Sequence, residues 1–112
     1  MTKTALVRFV HILQSINHIT SFVALDPEID ELRTAQAIHY ELVLIGEAAR
    51  HVPESFHRDF SDIPWKKMIA LRNVLTHEYW KVKQARIKAA IDHLPALKER
   101  LEDVVKELEH RP

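Results

Sequence analysis

Arg72, Asn73, His77 and Tyr79 fall within eight positions of the stretch "ALRNVLTHEYW", residues 70–80. Their types are the ones that metal-free cleavage of a phosphodiester needs. An imidazole titrates near neutrality and can take or give a proton. A guanidinium carries a permanent charge in a planar fork that fits phosphate oxygens, and a phenol can orient a substrate or donate to it. RNA brings its own nucleophile. His77 would promote attack of a 2′-hydroxyl on the adjacent phosphate while Arg72 stabilised charge on the non-bridging oxygens, leaving a 2′,3′-cyclic phosphate or its opened product. The same four residues are also what an ordinary polar helix surface presents. Asn73 could equally be a buried hydrogen-bonding residue that fixes the helix against its neighbours. Trp65 and Trp80, which flank the group, read first as packing residues and second as platforms for stacked bases.

Spacing constrains how these groups could meet. On one helix Arg72 and Tyr79, seven apart, share nearly the same face, whereas His77 lies five residues from Arg72, roughly 140° around the axis. Either the helix ends or tightens near Thr76, or two copies of the chain pair about a two-fold axis and compose the site between them. The second, alone or together with the first, is the preferred expectation, because the first helical segment carries surplus apolar surface and an Arg stem can reach across a seam.

The elements that must position the group are helical. The chain holds a single glycine, and no strand-like alternation interrupts the three- and four-residue apolar steps. In the first segment Leu6, Phe9, Val10, Leu13, Ile16 and Val23 form a stripe that Ile12, Ile19 and Phe22 widen, enough to meet two neighbours. Pro27 breaks this helix by disfavouring a helical Asp26. A second helix is predicted from about Ile29 to His51, with Leu32, Ala35, Ile38, Leu42, Ile45 and Ala49 on one face and Gly46 permitting close approach of another helix. Past Pro53, the connector "PESFHRDFSD" carries Phe56 and Phe60 as anchors over the core. Ser61 or Asp62 is the predicted cap of a third helix, with Pro64 in its first turn, running into the motif. A fourth helical region covers about Val82 to Glu109, with Ile87, Ile91, Leu94, Leu97, Leu101, Val104 and Leu108 in register and a kink or break at Pro95. Helices joined by short connectors predict an all-α fold, an antiparallel four-helix bundle forming one domain over residues 1–112.

Composition narrows the function classes. The net charge of zero argues against a protein that coats nucleic acid by bulk electrostatics. The distribution is uneven. From Trp65 to Lys88 seven basic residues face Glu78 alone, a surplus of six, and Lys66, Lys67, Lys81 and Lys83 are the candidates for holding RNA. From Asp26 to Asp62 nine acidic residues face three basic ones. A solvated helix face could carry the basic run just as well. The absence of cysteine removes disulfides and thiolate metal sites, and no apolar run is long enough for a signal peptide or a membrane span, so the expected location is the cytoplasm. Eight histidines raise the question of a metal. The "HE" at 77–78 lacks the second histidine at position 81, which is Lys, and His11 and His18 stand seven apart rather than four, so neither metal nor cofactor is expected.

The run "LVLIGEAARHVPESFHRDFSDIPWKKMIALRNVLTHEYW" resembles the HepT-like branch of the HEPN superfamily. The likeness rests on "IGEA" at Ile45 to Ala48, the helix start Ile63 to Trp65, then Arg72 and Asn73, four residues between Arg72 and His77, and Tyr79 two beyond the histidine; "LPAL" at 94–97 extends it. The resemblance implies a HEPN-like helical bundle acting as a dimeric, metal-independent ribonuclease, the toxin of a type VII toxin–antitoxin pair, with Arg72 and His77 as catalytic residues and Asn73 and Tyr79 in support. It also implies a small nucleotidyltransferase antitoxin, MntA-like, that transfers AMP from ATP to Tyr79. The added bulk and negative phosphate would then occupy the RNA pocket and offset its cation. Glu78 stands where the family often has glycine, and Lys81 and Lys83 where an acidic residue tends to follow. Glu78 would either weaken the attraction for RNA or favour the charged form of His77, and the lysines could compensate. The alternative is a helical adaptor that binds nucleotide or the nucleotidyltransferase partner and cuts little or no RNA.

Overall fold

A computed structural model describes residues 2–111, with α1 at Thr2–Leu25, α2 at Leu32–His51, α3 at Glu54–Asp59, α4 at Trp65–His77, α5 at Gln84–Asp92 and α6 at Leu94–Glu109. A single turn of 3-10 helix at Tyr79–Lys81 follows α4. The fold is all-α, a bundle as expected, and the last helical region is divided at His93, two residues before Pro95. Because Pro95 falls in the first turn of α6, where a backbone N–H has no partner to lose, it starts a new helix rather than bending an old one.

α1 lies at the centre. Phe9, Ile12, Ile16 and Ile19, at steps of three and four, are completely or almost completely buried between α2 and α6. Each such side chain stabilises the fold by about 1.5–3 kcal/mol relative to exposure. The facing residues are Ile38, Leu42, Ile45 and Ala49 of α2 and Leu101, Val104 and Leu108 of α6. Meeting helices on two sides rotates the stripe from its expected centre: Ile12 and Ile19 are core, while Val10 is exposed. Val7 of α1 and Tyr40 and Leu44 of α2 are also exposed. α4 packs on the other side of α2 through Met68, Leu71 and Leu75. The molecule measures 46 × 27 × 19 Å, its least dimension about two helix diameters. No helix among the described residues is long and apolar enough to cross a membrane.

Three local expectations are corrected. α2 begins at Leu32, three residues late, because the Asp26 carboxylate accepts the N–H groups of Asp30 and Glu31, at 3.1 and 2.9 Å, and Ile29 turns through φ 54° into the core. The connector after Pro53 forms the short helix α3, with Phe56 and Phe60 buried as anchors. Neither Ser61 nor Asp62 caps α4; Pro64 precedes its first residue, and Asp62 instead accepts from Arg100 of α6, Nε at 2.6 Å and Nη2 at 3.3 Å. That ion pair holds the Asp62 carboxyl below the ordinary range. It ties the start of α4 to a helix that the local sequence could not indicate.

Candidate active site

The site is built where α2 and α4 touch. Gly46, the chain's single glycine, sits mid-helix in α2, and a Cβ there would overlap Arg72 Cβ and come within 2.7 Å of the Met68 carbonyl oxygen. The missing side chain is therefore the seat of the Arg72 stem. From that seat the guanidinium meets two partners. Its Nε, which is buried, lies 3.1 Å from Glu47 Oε2, off the axis of the N–H, so this contact is a charge pair without a formed hydrogen bond. Its Nη1 donates to Asn73 Oδ1 at 2.9 Å. Asn73 itself is exposed and bonds its sequence neighbour rather than another helix, so it steadies the guanidinium instead of fastening α4.

Glu47 collects two guanidiniums and an imidazole, with Arg50 Nη2 at 3.3 Å and His51 Nδ1 at 3.4 Å beside Arg72. Desolvation pushes its carboxyl upward, but the hydrogen bond and charge of Arg50 and the charges of Arg72 and His51 outweigh it and hold the group below the usual carboxylate range.

His77 is the last residue of α4 and is exposed. Glu78 then leaves helical geometry at φ −145°, ψ 47°, and the chain tightens into the 3-10 turn. α4 stays regular through Arg72 and His77, so the separation of roughly 140° around the axis persists within one chain. Tyr79 is not on that helix. The shared face expected from seven-residue spacing is lost because α4 stops two residues earlier. Tyr79 and Trp80 are 62% and 68% exposed and stand edge to face with ring centroids 5.5 Å apart.

A model of the family described as "Ribonuclease HepT-like" matches residues 12–104, which contain the whole arrangement. The chain belongs to the HepT-like ribonuclease family. It is 31% identical over 110 residues to the protein named "Putative RNase MJ1380" of Methanocaldococcus jannaschii, covering 93% of this chain and all of that one. It is 29% identical over 96 residues to "Probable ribonuclease HepT" of Thermococcus cleftensis, covering 84% of this chain and 86% of that protein. No solved structure matches.

Within this HepT-like chain the remaining candidates separate. Lys81 and Lys83 are exposed beside the motif, and Lys81 Nζ binds Glu78 Oε2 at 2.6 Å. Among the described residues the Glu78 carboxylate pairs with Lys81, and no hydrogen bond or ion pair joins it to His77. Lys66 and Lys67 are exposed at the opposite end of α4, about 15 Å along the axis from His77. Trp65 is a packing residue as expected: buried, its Nε1 donating to the Phe60 carbonyl at 3.0 Å, its ring stacked on His57 at 4.5 Å. Trp80 is not. A cavity of about 720 Å³ opens between α4 and the α5–α6 pair, floored by Leu42, Ile45 and Met68, but none of Arg72, Asn73, His77 and Tyr79 lines it. Among the described residues no three His, Asp or Glu side chains gather as a metal ion would require. Glu47 is the residue to which reading along the chain assigns no role, and its sequence signals are its place after the only glycine and within the "IGEA" run.

Proposed function

We propose that the chain is a metal-independent endoribonuclease in which Arg72 and His77 act on the scissile phosphate, and that it works as a homodimer. The observation that carries this reading is the seated guanidinium. In a ribonuclease-family chain, Arg72 is fixed between Gly46, Glu47 and Asn73, five residues before an exposed imidazole at a helix end. Arg72 would bind the non-bridging oxygens and stabilise their growing charge. His77 would take the proton of the 2′-hydroxyl as its oxygen bonds to phosphorus and the bond to the 5′-oxygen breaks; the leaving oxygen needs a proton in turn, which the second copy's imidazole can supply. Pairing of two copies is supported by the angle between Arg72 and His77 on one helix and by Val7, Val10, Tyr40 and Leu44, which leave apolar surface on α1 and α2. Lys66, Lys67, Lys81 and Lys83 would hold the RNA backbone.

The activity would be that of the toxin in a type VII toxin–antitoxin pair, controlled at Tyr79. The phenol stands in the open turn after α4, where a nucleotidyltransferase antitoxin could reach it. Its oxygen would bond to the α-phosphorus of ATP as pyrophosphate leaves, placing a phosphodiester and an adenosine next to His77. Cleavage assays in EDTA test the catalytic reading. The unaltered chain should cut RNA, and His77→Ala and Arg72→Ala should reduce the rate at least a hundredfold; equal background rates in all three would leave the helical adaptor instead. Co-expression with an adjacent-gene nucleotidyltransferase should add AMP mass increments that Tyr79→Phe lacks, and increments persisting in that variant would move the modification elsewhere.

A further inference from the structure

We infer that Glu47 is a positioning residue for this reaction: it fixes the plane of the Arg72 guanidinium through Nε and leaves the Nη edge free to meet phosphate. This rests on the catalytic reading proposed for Arg72. The geometry is specific. Gly46 brings the backbone of α2 against the Arg72 stem, and the next residue of α2 raises its carboxylate beside the buried Nε at 3.1 Å. Asn73 holds one N–H of Nη1. Of the five donors on a guanidinium, this leaves the second N–H of Nη1 and both of Nη2, the edge that engages two phosphate oxygens at once.

A carboxylate next to a phosphate-binding cation would ordinarily cancel its charge and repel the substrate. Here it does not stand alone. Arg50, one turn further along α2, also approaches Glu47, so two guanidiniums face one carboxylate and the cluster keeps a positive surplus while the carboxylate orients Arg72. The off-axis Nε contact means the pair acts by charge and shape, and substrate binding at the Nη edge can draw the N–H into line with Oε2.

The test uses the full chain in four forms: unaltered, Glu47→Ala, Arg72→Ala and the double variant. Glu47→Ala should lower kcat tenfold or more with a smaller change in KM, since a misplacement of about 1 Å costs on the order of a hundredfold. In the Arg72→Ala background, Glu47→Ala should cost nothing further, because a positioning residue acts only through what it positions. Glu47→Gln, which keeps an acceptor oxygen but not the charge, should fall between, and it serves if the alanine variant folds poorly. A second readout needs no activity. The Arg72 Nε–Hε NMR signal of 15N-arginine protein should be resolved in His77→Ala and lost or averaged when Glu47→Ala is added. Unimpaired cleavage by Glu47→Ala, or an equal loss with Arg72 already removed, overturns the proposal while the catalytic reading stands. Unimpaired cleavage by Arg72→Ala would fell that reading, and Glu47's role with it.

Discussion

Gly46→Ala is the most informative small change, because two opposing effects of known size meet there. In an isolated helix the substitution would stabilise by about 1 kcal/mol through helix propensity. In this fold the new Cβ overlaps Arg72 Cβ and lies 2.7 Å from the Met68 carbonyl oxygen. An ordinary contact is about 3.4 Å or more, and neither a backbone oxygen nor the root of a side chain can swing aside, so α2 and α4 must separate by more than an ångström to clear the Arg72 Cβ. Overpacking of this kind costs about 1–3 kcal/mol, and a clash against rigid atoms belongs at the upper end. The net expectation is a loss of about 2 kcal/mol, or about 10 °C in Tm for a chain of this size. The same displacement moves the guanidinium by a similar distance, which predicts a drop in cleavage rate of order a hundredfold. Thermal unfolding by circular dichroism and a cleavage assay on the same preparation measure both. A variant that melts higher than the unaltered chain and cuts RNA normally would refute the close packing of Arg72 on α2, and with it the physical basis of the site.

Stability should fall in acid in a defined order. Asp26, Asp62 and Glu47 all have carboxyls held below their ordinary range in the fold, so each contributes stability that is complete above about pH 5 and is lost as pH drops through its native value. His39 is pushed down by burial, so it adds a shallower decline that begins near pH 6.5, where the unfolded chain starts to take up a proton the folded one refuses. Melting curves between pH 3 and 8 should show both phases; Asp62→Asn should flatten the acidic one, and an unchanged slope in that variant would mean its ion pair with Arg100 contributes nothing. Trp80 offers an optical check on the RNA face: with Trp65 buried, quenching of indole emission by RNA added to His77→Ala should report Trp80 alone. Base stacking is worth about 1–3 kcal/mol, so Trp80→Ala should weaken binding about tenfold and Trp80→Phe less; unaltered emission and affinity would place the RNA away from the turn.

What a linear pattern can carry is local, and the helices show its reach. Apolar steps of three and four, together with Pro27, Pro53, Pro64 and Pro95, were sufficient to place every long helix within a few residues, since backbone periodicity and the loss of an N–H act on neighbours along the chain. The types and order of Arg72, Asn73, His77 and Tyr79 likewise stand in the sequence and point to phosphodiester chemistry without any coordinates. What the sequence could not contain is the phase in which one helix meets the next. That phase sends Asp62 to Arg100 instead of the cap of α4 and makes Ile12 core and Val10 surface. It also sets Glu47 against an arginine twenty-five positions away, across the gap left by Gly46. The end of α4 at His77, which takes Tyr79 and Trp80 off the helix and into the open, is likewise a decision of the folded chain. Each of these outcomes depends on which surfaces are excluded from water together, and that competition is settled only when the whole core closes.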